Sequence, residues 1–341
     1  MSRSVRRLRP LAFFVCLLVG LAAAPGALSS GKRSWAQPEI KLVVARGLMA
    51  GSVASFRPND ALTQGELQDL VADLVDEPPR HAGNPSAPVT MAQLDARLVR
   101  AVGLGAEAST FYEAAAAAGL RPPVRFGTEV VARLLGLRTN HPTGQDDLER
   151  LPSDPASRAE AAYSVAQILR MSEWETENVQ EAAEGFEIPT LSPWQRRVLT
   201  TAVGFIGFPY IWGGESERAE SPFGLQARGG FDCSGFAWRV YKLQSYGAPQ
   251  LANTLRGRTA AAMAGEVPRR MRIKLARLAP ADLLFFGGRG AKPAQVDHMA
   301  IYLGNGWLIH SSRYGVALAP VAGWYEERLS WGRRPLAEAG L

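Results

Sequence analysis

One cysteine and two histidines are the residues of this 341-residue sequence whose types and spacing could do chemistry. The motif FDCSGF puts Cys233 where a loop runs into a segment with Phe236 and Val240 at helical spacing. A thiol in the first turn of a helix meets unpaired N–H groups and the positive end of the helix dipole, so we expect it to lose its proton more readily than a free thiol. The sequence therefore predicts that Cys233 is a nucleophile.

His298 and His310 stand 12 positions apart, at the two ends of a predicted β-hairpin. The segments on either side of residues 304–306 (GNG) alternate like strands, and Gly-Asn-Gly is typical of a hairpin turn. A three-residue loop with a bulge pairs Ala300 with His310 and puts both histidines on one face, whereas a two-residue loop turns His310 away. We predict the three-residue form, because a catalytic base needs a third group that holds its imidazole in one tautomer.

The sequence from Leu191 to Leu336 resembles the NlpC family of papain-like cell-wall peptidases in five motifs and in their order. These motifs are PYIWGG, FDCSGF, LAPADLLFF, DHMAIYLGNGWLIHSS and WGRRPL. The resemblance implies that Cys233 is the nucleophile, His298 the base, and His310 the third, orienting residue. The fold it implies is α+β and papain-like, with the nucleophile helix packed on a small antiparallel sheet that carries the histidines.

The resemblance also implies three substrate-binding residues. Tyr210 lines the site with its hydroxyl near the oxyanion, while Asp232 and Ser234 hold the substrate peptide, Asp232 by pairing with a free amine. Without the resemblance, Tyr210 is interpreted as a core aromatic residue and Asp232 as a helix N-cap, a role that is compatible with substrate binding.

Two departures from the family pattern are visible. The charged loop between Gly214 and Gly230 is long, and it either borders the cleft and alters substrate choice or is a surface insertion. Ala281 stands where the family usually has glycine. The five motifs are intact beside both departures.

The family's usual substrate is the γ-D-glutamyl to meso-diaminopimelate bond of peptidoglycan stem peptides, so the resemblance implies a cysteine peptidase that cuts this bond. One alternative is a wall-binding or scaffolding protein that holds stem peptides without cutting them. A second is a papain-like amidase or acyltransferase that acts on another bond. We expect no cofactor and no metal, because one cysteine and two histidines without ligand-spaced carboxylates do not make a zinc site.

The chain before these motifs consists of predicted helices behind a repeated turn, whose copies are PNDALTQGEL, PVTMAQL and PSDPASRAEA. The repeat resembles S-layer homology modules, which often hold exported proteins to cell-wall polymers. The arginine of that signature is kept as Arg158 in the last copy and replaced by Gln64 and Met91 in the others. We therefore expect the helical half either to bind cell-wall polymers or to act as a spacer or lid on the next domain.

The first residues have the layout of a secretory signal peptide: arginines, an apolar run from Leu11 to Ala24, then small and polar residues. The run is about 14 residues long, shorter than the roughly 20 needed to cross a bilayer. We expect cleavage after Ala27 or Ala36 and no stable membrane span in the mature chain. The predicted divisions are a signal peptide at 1–36, a helical repeat domain at 37–190 and a peptidase domain at 191–341.

Charge and cysteine content agree with export. The net charge is +6, and residues 1–36 carry six basic side chains and no acid, so removing them leaves a chain near neutrality. This balance gives no support for nucleic-acid binding. Because Cys16 lies in the apolar run, the mature chain keeps only Cys233, and a single thiol in an oxidising compartment favours a functional role. We expect a secreted or cell-envelope protein, in the periplasm or wall.

Overall fold

Helices make up the first part of the chain, and strands appear only after it. The computed structural model describes residues 33–80, 83–141, 149–219 and 229–341. The described helices of the first part are α1 (Gln37–Ala45), α2 (Gln64–Val75), α3 (Met91–Ala101), α4 (Gly105–Ala117), α5 (Phe126–Leu134), α6 (Arg158–Arg170), α7 (Glu173–Glu184) and α8 (Pro193–Gly204).

Helices α2, α3 and α6 begin around a closed triangle of backbone hydrogen bonds. The N–H of Leu62 donates to the carbonyl of Ala156, that of Ala156 to Val89, and that of Val89 to Leu62, with N···O distances of 2.7–2.9 Å. A side-chain hydroxyl caps each helix and accepts an N–H three residues further on, as the repeated turn predicts. These caps are Thr63, Thr90 and Ser157. The internal repeat of the sequence is therefore also a repeat of the structure.

The arginine kept from the S-layer homology signature is used inside the helical half. Arg158 is buried, and its guanidinium donates to the carbonyl oxygens of Phe56 (2.8 Å) and Met49 (2.6 Å). It also forms an ion pair with Glu66 of the first copy. All of these partners precede α3 in the chain, so Arg158 holds the last copy of the repeat to the first.

The second part of the chain is built on a five-stranded antiparallel sheet with the strand order β6-β5-β4-β3-β7. A two-stranded ribbon, β1 with β2, precedes it. Helix α9 packs against β4 and β5, so the α+β fold expected from the sequence is confirmed. The elements are β1 (Glu215–Ser216), β2 (Gly230–Phe231), α9 (Cys233–Trp238), α10 (Pro249–Ala252), α11 (Ala260–Gly265), β3 (Leu283–Phe286), β4 (His298–Gly304), β5 (Trp307–Ser312), β6 (Gly315–Pro320), α12 (Trp324–Arg328), β7 (Leu329–Arg333) and α13 (Pro335–Glu338).

The hairpin of β4 and β5 has the register that the sequence predicted, but it reaches that register differently. Ile301 pairs with Ile309, so the next pair along the strands is Ala300 with His310. The turn itself consists of Asn305 and Gly306, since Gly304 already pairs with Trp307. A bulge between Tyr302 and Gly304 adds the residue that a two-residue turn lacks. The predicted three-residue loop is thus a two-residue turn plus a bulge.

Ala281 occupies the left-handed region of backbone conformation, with φ of 68°. Glycine adopts this conformation without steric cost, whereas an L-side chain meets its own backbone there. The Ala281 N–H donates to the Tyr302 carbonyl at 2.8 Å, and its carbonyl accepts from the hydroxyl of Tyr241. These bonds hold a strained residue two positions before β3, and the strain explains why glycine would suit the position.

The helical and sheet-containing parts share one hydrophobic core, and residues 34–341 form one compact unit. Phe111 of α4, Phe186 and Trp307 of β5 meet with ring centroids 4.9–5.9 Å apart. The division at residue 190 stays a prediction and lies in the segment between α7 and α8.

No helix in the described part of the chain is long and apolar enough to span a membrane. Most of the predicted signal peptide, residues 1–32, lies outside the described residues. Near its predicted end, Ala36 is fully buried and Trp35 stacks on His141 with ring centroids 3.9 Å apart. Of the two expected cleavage sites, a cut after Ala27 keeps these contacts, whereas a cut after Ala36 removes them.

Candidate active site

Cys233 is the first residue of α9, as the sequence predicted, and it is 9% exposed. The helix begins there because the carboxylate of Asp232 accepts the N–H of Gly235 and caps the first turn. As a first-turn residue, Cys233 has a backbone N–H without an intrahelical acceptor. The N–H of Met299, the residue after His298, also points to its sulfur. Packing of α9 on β4 thus closes the long sequence separation between the cysteine and the histidines.

The two histidines are directly hydrogen-bonded. Nε2 of His298 lies 2.8 Å from Nδ1 of His310, and the rings are nearly perpendicular, at 84°. Nε2 of His310 in turn lies 3.2 Å from the hydroxyl oxygen of Tyr325. The Nδ1 atom of His298 takes no part in this chain of contacts.

This chain of contacts constrains the tautomers. For Nδ1 of His298 to accept a proton from Cys233, its Nε2 must carry hydrogen and donate to Nδ1 of His310. His310 then carries its hydrogen on Nε2 and donates to the oxygen of Tyr325. Sequence reasoning missed Tyr325, because it lies in the short helix α12 and follows no spacing rule relative to the histidines.

The expected direction of the Cys233 pKa is wrong. Burial, and next the negative charge of Asp232, raise the pKa of the thiol to about 12, although the N–H groups of Met299 and Ser234 act in the opposite direction. Helix α9 has only six residues, and its capping carboxylate already takes the N–H of Gly235. The helix start is therefore less favourable to a thiolate than the sequence pattern suggested.

Burial also keeps the histidines neutral. It lowers the pKa of His298 to about 4, with the nearby carboxylate of Asp297 acting in the opposite direction. It lowers the pKa of His310 well below the usual value, and His298 adds to this effect. At neutral pH the site thus holds a thiol beside two uncharged imidazoles.

Asp232 and Ser234 are both buried and already occupied by contacts within the protein. The carboxylate of Asp232 accepts from the Gly213 N–H (3.0 Å), from the Ser234 hydroxyl (2.9 Å) and from Arg258 (3.1 Å). Arg258, which sequence reasoning also missed, donates to Glu215 as well, at 2.7 Å. The N-cap interpretation of Asp232 therefore has direct geometric support, and its binding of a substrate amine stays a prediction.

Tyr210 lies beside the cysteine and is only partly buried. The backbone of Tyr210 forms an isolated β-bridge with Phe231, which lies two positions before Cys233. Burial, and next the charges that Cys233 and Asp232 can carry, raise the pKa of its phenol, which therefore keeps its proton and can donate. Its neighbour Trp212 is 81% exposed. Most of the long loop that follows, residues 220–228, lies outside the described residues.

A helix-borne cysteine packed on an antiparallel sheet with two hydrogen-bonded histidines defines a papain-like α+β domain. Residues 207–334 match the NlpC/P60 family, and residues 30–67 match the S-layer homology domain. The C-terminal part of the chain is thus similar to NlpC/P60 domains, and the start of the helical part is similar to an S-layer homology domain.

Two curated relatives illustrate the similarity. The γ-D-glutamyl-L-lysine dipeptidyl-peptidase of Bacillus subtilis (strain 168) is 33% identical over 121 residues, which cover 36% of this chain and 33% of the relative. Murein DD-endopeptidase MepH of Escherichia coli (strain K12) is 37% identical over 111 residues, covering 32% and 33%. The matched region is thus about a third of each relative.

Among solved structures, an NlpC/P60 family protein from Bacillus cereus ATCC 10987 is 30% identical. The match covers 45% of this chain and 43% of that protein, with a TM-score of 0.31.

Proposed function

We propose that this protein is an exported peptidoglycan endopeptidase that hydrolyses stem peptides, with Cys233 as nucleophile and His298 as general base. The observation that carries the proposal is the hydrogen bond of 2.8 Å between Nε2 of His298 and Nδ1 of His310. It orients His298 and leaves Nδ1 for the thiol. The resemblance to NlpC/P60 peptidases supports the same assignment.

In the proposed reaction, the Cys233 sulfur attacks the peptide carbonyl carbon while its proton passes to Nδ1 of His298. The carbonyl π electrons move to oxygen, and the backbone N–H of Cys233 and the hydroxyl of Tyr210 donate to this oxyanion. Collapse breaks the C–N bond, and His298 returns the proton to the leaving amine. A thioester remains, which water hydrolyses with His298 again as base, restoring the thiol and releasing a carboxylic acid.

The proposed bond is the one between γ-D-glutamate and meso-diaminopimelate. The name of the Bacillus subtilis relative refers to a γ-D-glutamyl bond to L-lysine, whereas the Escherichia coli relative is named as a DD-endopeptidase. The second name refers to murein, and the two names differ in the bond. The choice of bond is therefore the part of the proposal that most needs a direct test.

The experiment uses the tetrapeptide L-Ala-γ-D-Glu-meso-diaminopimelate-D-Ala, the mature chain and its Cys233→Ala variant, with mass spectrometry of the products. We expect L-Ala-D-Glu and diaminopimelate-D-Ala from the first protein and no products from the second. Cleavage by a folded Cys233→Ala variant, or no cleavage by a folded wild-type chain, would contradict the thiol mechanism. Products that arise from cleavage of another bond would show that the proposed scissile bond is wrong.

For the helical half, we propose that support of the peptidase domain is the main role and wall attachment a secondary one. Arg158 is committed to internal contacts, and the two parts share their core. Wall attachment is tested by measuring the fraction of the Cys233→Ala chain that sediments with isolated cell walls. If the chain still binds walls from which the stem peptides have been removed, but no longer binds walls from which the attached polymers have been removed, the result would favour a polymer-binding role instead.

A further inference from the structure

A pocket beside His298 is lined by none of the residues discussed above for substrate binding. Its volume is about 370 Å³. Its lining consists of one catalytic histidine, one hydroxyl, one cation and three aromatic rings: His298, Ser312, Arg313, Tyr314, Trp324 and Tyr325. None of the described residues that line it is acidic. The pocket is thus an aromatic site with a single positive charge.

The chemistry of the reaction tells which part of the substrate this pocket receives. His298 gives its proton to the leaving amine, so the residue that carries this amine must lie next to His298. In the proposed reaction, Cys233 and Tyr210 act on the carbonyl that becomes the acyl-enzyme, and neither lines this pocket. The leaving residue is therefore the part of the substrate that enters it.

Arg313 supplies the charge, and its backbone is fixed in position. Its carbonyl accepts the N–H of Asn140 at 2.6 Å, a contact from the helical half. Its guanidinium lies 4.7 Å from the ring centroid of Tyr314 and donates to the hydroxyl of that residue. This leaves further N–H groups of the guanidinium for a ligand, in the planar geometry that suits a carboxylate.

A second cation near the pocket is already neutralised. The guanidinium of Arg328 lies 5.6 Å from the ring centroid of Trp324, but it forms an ion pair with Asp297 at 2.7 Å. Trp324 itself is 51% exposed and forms an open apolar wall. A ligand that enters along this wall therefore meets Arg313, which forms no ion pair with any residue that the structure describes.

We propose that this pocket binds the leaving residue through its side-chain carboxylate, which pairs with Arg313, and so selects diaminopimelate over lysine. This inference rests on the proposed function. The two residues have side chains of similar length that end in an amine, but only diaminopimelate carries a carboxylate at that end. Arg313 attracts this carboxylate, whereas a lysine side chain offers it only a like charge.

The test compares three tetrapeptides that differ at one residue: meso-diaminopimelate, the same residue amidated at its side-chain carboxylate, and L-lysine. Values of kcat and KM are measured for the wild type, Arg313→Gln, Arg313→Glu, and the control Arg121→Gln, an exposed arginine of the helical half. We expect Arg313→Gln to lower kcat/KM for the diaminopimelate peptide by about tenfold, mainly through KM. The lysine and amidated peptides should change little, and Arg313→Glu should favour lysine.

An equal loss on all three peptides, or no loss on any, would overturn the inference. If the wild type cuts none of the peptides, the proposed function fails, and the pocket is then tested by calorimetry in the Cys233→Ala background. A preference for diaminopimelate that Arg313→Gln removes would support the inference there. Equal affinities for the diaminopimelate and lysine peptides would reject it.

Discussion

At the scale of single residues, the hydrogen-bonded series of His298, His310 and Tyr325 explains how a buried imidazole is held ready to accept a proton. His310 is 2% exposed, and its pKa is lowered well below the usual value by burial, so it stays uncharged while His298 gains a proton. An uncharged His310 keeps its Nδ1 lone pair for the N–H of His298. In that tautomer of His310, Nε2 carries the hydrogen and donates it to the Tyr325 oxygen.

Tyr325→Phe should lower kcat about tenfold with little change in KM. Without the hydroxyl oxygen, the buried Nε2–H of His310 loses its acceptor, which costs about 1–3 kcal/mol and favours the other tautomer. That tautomer donates to His298 and turns Nδ1 of His298 into a donor. Steady-state kinetics test the rate, and ¹⁵N shifts of the two imidazoles test the tautomer. An unchanged tautomer with a lower rate would assign Tyr325 a different role.

Activity should persist to lower pH than an ordinary histidine base would allow. The base form of His298 is neutral, and burial lowers its pKa to about 4. Activity is therefore lost only as the pH falls through that lowered value, and not near the ordinary value of about 6.5. The measurement is the pH profile of kcat/KM. A fall in kcat/KM on the acid side with a midpoint at about pH 6.5 or above would show that His298 is protonated more readily than its burial implies.

At the scale of elements, local geometry decides which side chains face the site. The bulge between Tyr302 and Gly304 compensates for a turn of two residues, and without it His310 would face away from His298. The strained residue before β3 is linked to the same bulge, because the N–H of Ala281 donates to the carbonyl of Tyr302. Strand positions and turn conformations are thus coupled through backbone hydrogen bonds.

Ala281→Gly should stabilise the protein by about 1 kcal/mol. The φ of 68° costs alanine about 1–2 kcal/mol, and glycine removes that cost. Glycine also raises the conformational entropy of the unfolded chain, which offsets part of the gain. Urea denaturation gives the change in the free energy of unfolding. Ala279→Gly, which changes a nearby loop residue that has no positive φ, is the matched control and should not stabilise. Equal effects of both substitutions would contradict the strain argument.

At the scale of the whole molecule, the helical part packs against the sheet-containing part through charged as well as apolar contacts. Arg133 of α5 is almost fully buried and donates to the carbonyl of Gly207 at 2.6 Å. It also pairs with Glu129 at 3.4 Å and Glu149 at 3.3 Å. A side chain at Gly315 would collide with its guanidinium. The two parts should therefore unfold together.

Arg133→Ala should lower the free energy of unfolding by about 3–5 kcal/mol. The substitution leaves two carboxylates buried without their partner, and this penalty is far larger than for an exposed ion pair. Urea denaturation followed by tryptophan fluorescence, with Arg121→Gln as control, provides the measurement. A single shifted transition is expected. A loss below 1 kcal/mol, or two separate transitions, would contradict the joint unfolding of the two parts.

The sequence by itself determined the features that depend on near neighbours in the chain. These are the helix that begins at Cys233, the register of the hairpin, the hydroxyl caps of the repeat and the α+β class. The first three follow from periodicity, turn chemistry or capping, which act over a few residues, whereas the α+β class was implied by the family resemblance of the ordered motifs. The ordered motifs supplied the link between Cys233 and His298, which no spacing rule could have provided.

Only the tertiary structure decided the protonation of the site, the contacts of Tyr325 and Arg313, and the core shared by the two parts. The local pattern at Cys233 predicted a lowered pKa, but burial by distant segments raises it to about 12. Burial depends on which remote residues pack together, as Met299 does on Cys233. Helix periodicity and capping carry no information about such contacts, because desolvation and side-chain convergence arise only when the chain has folded.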